Sequence, residues 1–319
     1  MKKTIAILAA GLLLLSACGE KQPVPETPDT PAPMVVQYIP PAEPAPEPEP
    51  EPEPAPALSF TPTVEKGGIT FASDELSGWE LNGGSAARKN VSISELLSKP
   101  YGFTFSSSGP QVLIYHTHTS EAYTASEGYE YKASEPYRTL EPEHSVIRVG
   151  EEIASVLREC GIEVIHDTEF NDYPDYEASY DTALPRVKKI LQENPSIRLV
   201  IDVHRDACLY NGEQLAYRKT VNGEQTAQVL LVCGDGGRQG YSGWKDNLSW
   251  ALKMCAQLNR DAPELVRSIR LDFARYNQHV LPGAMLVEVG AAGNTLPEAV
   301  TAGRLFGQSL ASMILSLTK

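Results

Sequence analysis

Residues 112–123 read VLIYHTHTSEAY: four apolar residues, then an abrupt change to His116, Thr117, His118, Thr119, Ser120 and Glu121. The apolar half has the length and composition of a buried strand, and the polar half has no reason to follow it if packing were its only task. Outward from this point the pattern is regular. The spacing of Val146, Val149, Ile153, Val156 and Leu157 predicts a helix over 145–159 with one apolar face, stopped by Gly161. A strand is expected over 162–165. A helix over 181–192 carries Leu184, Val187, Ile190 and Leu191 on one side. Apolar strands follow over 197–203 and 228–233, then a helix over 248–258, a strand over 284–289 and a long closing helix over 296–317. Strands alternating with helices of about ten or more residues call for an α/β fold, a three-layer sandwich with a mostly parallel sheet. Sites in such folds form beyond the carboxyl ends of the strands.

The 319 residues are not of one material. Residues 1–18, MKKTIAILAAGLLLLSAC, have a positive start, a short apolar core and the ending Leu-Ser-Ala-Cys. That core is short for a spanning helix and suits a secretory signal. The ending resembles a bacterial lipobox, with Cys18 as the lipidated residue; an ordinary signal peptide or an uncleaved anchor is the plainer alternative. Either places the protein outside the cytoplasm beside a membrane, and the lipobox makes it a lipoprotein anchored to the cell membrane. Residues 19–57 are a Pro/Glu-rich linker ending in EPEPEPEPAPA. Such a segment buries no core and favours an extended conformation at about 3.1 Å per residue, a reach on the order of 100 Å. Residues 58–104 carry scattered turn signals and one short helical candidate, Ile93 to Leu97, and read as an irregular lead-in that packs on a catalytic domain over 105–319.

The formal charge of −14 divides along the same lines. Residues 20–57 hold eight acids and one lysine, hence −7, which leaves a mildly acidic domain with no basic cluster. Nucleic acid is therefore not an expected partner. Cys160, Cys208, Cys233 and Cys255 form no C-x-x-C pair and read as buried thiols more readily than as disulfides.

Three predicted strands end in reactive side chains: His116, His118 and Glu121 after the first, His204, Arg205 and Asp206 in LVIDVHRDA, and Glu288 in AMLVEVGAAGN. Two histidines and a carboxylate make a typical catalytic zinc shell with a fourth position for water, whose pKa falls to about 7 there. The H-x-x-E spacing of His118 and Glu121 lets a turn bring both to one Zn²⁺ ion, with His204 arriving from the neighbouring strand. Glu288, a carboxylate in an apolar strand, is costly without a partner and is the candidate general base. His116 is as readily a supporting residue as a ligand. Glu143 and His144 precede a helix, where an acid also suits the helix dipole. Arg205 and Asp206 either brace His204 and meet substrate or form a local ion pair. His166 reads as a satisfied rim histidine, and His279 as unrelated.

The blocks VLIYHTHTSEAY, VIRVGEEIASVLRECGIEVIHD, YEASYDTALPRVKKIL, VIDVHRDA and MLVEVGAAGNTLPEAV resemble, in order and spacing, those of the stage II sporulation protein P family over roughly residues 90 to 319. That family is similar to zinc-dependent N-acetylmuramoyl-L-alanine amidases. The resemblance implies a zinc amidase-like fold and cleavage of peptidoglycan at the glycan–peptide amide and at peptide cross-links during engulfment. It also implies a glycan-cleaving sporulation partner. Carried over residue by residue, it gives His118 and His204 as zinc ligands and Glu288 as the catalytic glutamate. The class takes its remaining ligand from a glutamate at the start of the first helix, and EPEHSVIRVG offers none in register. Glu121 is therefore the first choice, with Glu143 or His144 in reserve. Two other readings stay open: a metallocarboxypeptidase-like peptidase using Arg205 for a terminal carboxylate, and a non-catalytic wall-binding lipoprotein.

Overall fold

A computed structural model describes residues 60–319. The lipobox with Cys18 and the linker lie outside the described residues, so neither expectation is tested there. No helix among the described residues is long and apolar enough to cross a membrane.

Seven strands form one sheet: β1 (Leu81–Asn82), β2 (Val112–Tyr115), β3 (Val164–His166), β4 (Leu199–Asp206), β5 (Val229–Gly234), β6 (Val266–Asp272) and β7 (Ala284–Ala291), in the order β1-β6-β5-β7-β4-β2-β3. Every neighbouring pair is parallel except β5 with β7. The sheet is thus mostly parallel, with one reversal near its middle. The helices are α1 (Ile93–Ser98), α2 (Val146–Glu159), α3 (Ser179–Glu193), α4 (Trp244–Asp261) and α5 (Leu296–Leu317).

Alternation along the strands sorts the residues into two faces. Val112 and Ile114 of β2, Leu199, Ile201 and Val203 of β4, and Val287 and Val289 of β7 join the main core with α2, α4 and α5. Leu113, Tyr115, Val200 and Ala284 face the other way, against Ala183 and Val187 of α3. Helices therefore lie on both sides, as a three-layer sandwich requires. α2 starts on Ser145, whose side chain accepts from Ile147 N–H, and stops where Gly161 turns left-handed at φ +77°. There Gly161 N–H donates to Arg158 O and Ile162 N–H to Leu157 O, the paired bonds of a Schellman stop. α5 begins on a Thr295–Glu298 capping box.

The lead-in is less irregular than its sequence suggests. Leu81 of β1 pairs with Ile269 at the sheet edge, and Ile69, Phe71, Leu76 and Leu97 are buried in the main core. β6 was not anticipated from sequence. Its VRSIRLD interleaves Arg267, Ser268 and Arg270 with the buried Ile269 and Leu271, so it lacks the apolar run of a central strand.

α3 covers only the β2–β4 side of its face. Beyond it the same face holds a small cluster of Leu230, Val232 and Leu286 under Tyr276, and then becomes polar. Asp202 and His204 continue the Val200 row of β4, and Glu288 continues the Ala284–Leu286 row of β7. In register, Asp202 stands opposite Leu286 and His204 opposite Glu288.

Candidate active site

The chain turns sharply after β2. Glu121 N–H donates to His118 O at 3.3 Å, so the H-x-x-E segment is a turn. Asp202 holds that turn from β4, accepting Thr117 N–H at 2.8 Å and Thr117 Oγ1–H at 2.5 Å. Asp172 holds its far end, accepting the Ser120 hydroxyl at 2.6 Å. The loop is thereby pinned at both ends by buried carboxylates.

His118, Glu121, His204, Asp206 and Glu288 line one pocket of about 200 Å³ with Tyr176, Tyr180, Arg270 and Tyr276. His204 Nδ1 lies 3.6 Å from Glu121 Oε2. Two ligand atoms about 2.0–2.1 Å from one tetrahedral ion would stand roughly 3.4 Å apart, so this pair has the spacing of ligands sharing a zinc. The His118 ring is edge-on to His204 at 5.2 Å and stacks on Tyr176 at 4.2 Å, and Arg138 covers the far side of that tyrosine. His118 Nδ1 and Glu288 Oε2 are buried without a hydrogen-bond partner. Native interiors rarely leave such atoms orphaned unless something absent from the chain completes them.

The charges point the same way. Burial opposes a charge on His204, but Asp202 and Glu121 outweigh it and push the imidazole up to about 10. Burial holds His118 down at about 3, with His204 adding to the effect. Burial pushes Glu288 up to about 8 against the pull of His204, and Glu121 and Asp206 push it further up. Four carboxylates, Glu121, Asp206, Asp272 and Glu288, thus line one small pocket, and a divalent cation would relieve their repulsion while replacing the His204 proton. The donor set of imidazole and carboxylate fits Zn²⁺. Asp202 Oδ1, 2.8 Å from His204 Nε2 but not aligned for a hydrogen bond, stands where a carboxylate orients a ligating histidine.

Among the described residues, a second group gathers its ligand atoms within 4.8 Å of one another: Glu141, Glu143 and His144. The trio His118, Glu121 and His204 is not drawn together as tightly. Glu143 and His144 sit on the turn Pro142–His144 before α2 and do not line the pocket, whereas Glu121 does.

Arg205 is buried, with its backbone N–H donating to Glu121 Oε2 at 3.1 Å, Nε to Ala122 O and an Nη to Tyr137 O. It holds Glu121 in place and has little left to offer a ligand. Asp206 is ion-paired to Arg267. His116 does not face the pocket. Its Nδ1 lies 2.8 Å from Val203 O, and its Nε2 lies 2.9 Å from His166 Nε2, whose Nδ1 lies 2.9 Å from Glu151 Oε2. A carbonyl only accepts, so His116 Nδ1 carries hydrogen. Burial holds His116 neutral, near 3, so His166 donates to its Nε2. One proton is then shared between His166 and Glu151. This chain ties the backbone before His204 to the backbone before His118. Asp202, Tyr176, Tyr180 and Arg270 were missed in the sequence reading. Only Asp202 left a signal there, as an acid inside LVIDVH.

Gly150 of α2 makes room for the histidine pair. A Cβ there would lie 2.7 Å from His116 Nε2 and 2.8 Å from His166 Nε2. Gly150→Ala is expected to lower stability by up to about 2 kcal/mol, from an overpacking cost of roughly 1–3 offset by about 1 of helix propensity. Urea unfolding measures it, and an alanine variant as stable as wild type would dissolve the packing argument.

Fold and pocket together define an α/β protein with histidines and carboxylates converging on one exposed sheet face. Comparison with known sequences is more specific: the chain belongs to the stage II sporulation protein P (SpoIIP) family, whose sequence pattern matches residues 64–311. The stage II sporulation protein P of Bacillus subtilis (strain 168) is 26% identical over 198 residues, which are 59% of this chain and 47% of that one. The chain thus spans about half the length of that curated relative. Solved structures similar to it include the N-acetylmuramoyl-L-alanine amidase AmiC2 of Nostoc punctiforme, at 14% identity, 65% of this chain, 97% of that one and a TM-score of 0.36. The CwlD amidase from Clostridioides difficile, in complex with the GerS lipoprotein, is 12% identical over 65% of this chain and 95% of that one, with a TM-score of 0.35.

Proposed function

We propose that this protein is an extracytoplasmic, membrane-tethered zinc hydrolase of peptidoglycan. It would cut the amide between muramic acid and the stem peptide, with cross-link cleavage as a second activity, in sporulation. Membership of the SpoIIP family supports the setting. The observation that carries the chemistry is the pair of orphaned buried atoms, His118 Nδ1 and Glu288 Oε2, in the pocket that also holds the His204–Glu121 pair.

His118, His204 and Glu121 would hold Zn²⁺, which when bound polarises the scissile carbonyl and acidifies water. Glu288 takes a proton from the attacking water and delivers it to the departing amine nitrogen, a two-way transfer its lone oxygen is free to make. Asp202 fixes the His204 ring, and Arg205 fixes the Glu121 carboxylate. Tyr176, stacked on His118, shields that side of the pocket from water. The lipid anchor and Pro/Glu spacer would carry the domain from the membrane to the wall, and a glycan-cleaving partner would act on the denuded strands. The carboxypeptidase reading loses support from the engagement of Arg205, its proposed carboxylate binder.

A digest of purified cross-linked peptidoglycan, read by mass spectrometry, tests the proposal. Chelation is expected to stop the release of intact stem peptides and zinc to restore it. Trimmed stems still attached to glycan would favour a peptidase, and no products from zinc-loaded protein would leave a binding role.

A further inference from the structure

The pocket does not end at Tyr276. That residue and Tyr180, their rings 5.9 Å apart, also line a larger groove of about 610 Å³ with Arg238, Phe273, Arg275 and Asn277. The groove is built from two segments joined backbone to backbone. Gly236 N–H donates to Ala274 O at 2.9 Å, and a Cβ on Gly234 would lie 2.3 Å from that same oxygen. Phe273 is 58% exposed and gives the groove an apolar wall.

The charges in this groove differ from those around it. Arg267 and Arg270, nearer the pocket, are ion-paired to Asp206 and Asp272. Arg275 has a buried Nε without a partner, and Arg238 is exposed. Asp181 is the one acid lining the groove. In a chain of net charge −14 this is a local inversion.

We infer that this groove is the subsite for the leaving peptide, with Arg275 and Arg238 binding the free carboxylates of a peptidoglycan stem. The inference rests on the hydrolase reading above and adds a direction to it. The glycan strand is built from neutral N-acetylated sugars, whereas the stem bears free carboxylates, which planar guanidinium groups recognise in two-point fashion. Phe273 offers an apolar surface to alanine methyls beside them. With the stem held here, the scissile amide falls over Glu288, and the glycan leaves on the His118–Tyr176 side.

Binding and turnover separate the two claims. With the full chain, a free stem peptide is titrated against the same peptide with every carboxylate converted to carboxamide. Wild type is expected to bind the carboxylate form about tenfold more tightly, ~1.4 kcal/mol. The Arg238→Ala/Arg275→Ala variant is expected to lose that preference while keeping its unfolding midpoint. Arg238→Ala alone, on an exposed side chain, gives a partial loss should the double variant fold poorly. Equal binding of both forms by wild type, or a preference that survives the double substitution, overturns the subsite. Digestion of cross-linked peptidoglycan is scored separately. Carboxylate preference without cleavage would sink the hydrolase reading and leave the subsite standing, and cleavage without preference would do the reverse.

Discussion

Glu288→Gln is expected to reduce peptidoglycan cleavage by about 10²–10⁴-fold, the range spanned by a positioned acid–base group, without unfolding the protein. The substitution keeps shape and removes only the capacity to take and return a proton. Its second consequence separates a catalytic from a structural role. In the folded chain the Glu288 carboxyl is raised to about 8 from an ordinary 4.5. A carboxyl raised on folding must take up a proton for the chain to fold at neutral pH, so it weakens the fold, and the penalty grows as pH rises from about 4.5 toward 8. A neutral glutamine removes that penalty. Without added metal, the variant should therefore unfold at a temperature equal to or above wild type's at pH 7. Loss of both activity and stability would make Glu288 a structural residue, and activity above about a tenth of wild type would remove it from the mechanism.

The sequence announced this residue because a carboxylate in AMLVEVG stands out against apolar neighbours. The same contrast in LVIDVH marks Asp202, but its role shows only in three dimensions, where it partners both Thr117 and His204. The alternation of apolar strands and helices was legible because buried parallel strands carry few polar residues. β6 was hidden for the opposite reason. Arg267 sits in it to meet Asp206, which is remote in sequence, and Arg270 to meet Asp272 at the end of the same strand. The reversal between β5 and β7 was equally invisible, since pairing direction leaves no trace in composition. His166 read as an ordinary rim histidine because its partner, His116, comes fifty residues earlier. Tyr176 and Tyr180 reach the pocket from the loop before α3 and from its first turn, where no local pattern distinguishes them from other surface tyrosines.

Metal content is expected to follow the pocket rather than the Glu141–Glu143–His144 group. The full chain should bind one zinc per molecule by elemental analysis, and His118→Ala should lose both that zinc and activity, by at least 10²-fold. His144→Ala should keep both. The two sites make opposite physical cases. Glu141, Glu143 and His144 are close together but partly or fully exposed, where water already serves the carboxylates at little cost. A ring nitrogen is orphaned in each group, His144 Nδ1 in one and His118 Nδ1 in the other, but His118, Glu121 and His204 share an enclosed pocket with further carboxylates, and enclosure makes an absent cation costly. Asp202→Asn gives a graded test of the same idea. It should retain the zinc shell yet weaken affinity by about 10–100-fold, as loss of a carboxylate behind a ligating histidine does. A His118→Ala protein that keeps its zinc while His144→Ala loses it would move the metal to the turn before α2, and the mechanism built on the pocket would go with it.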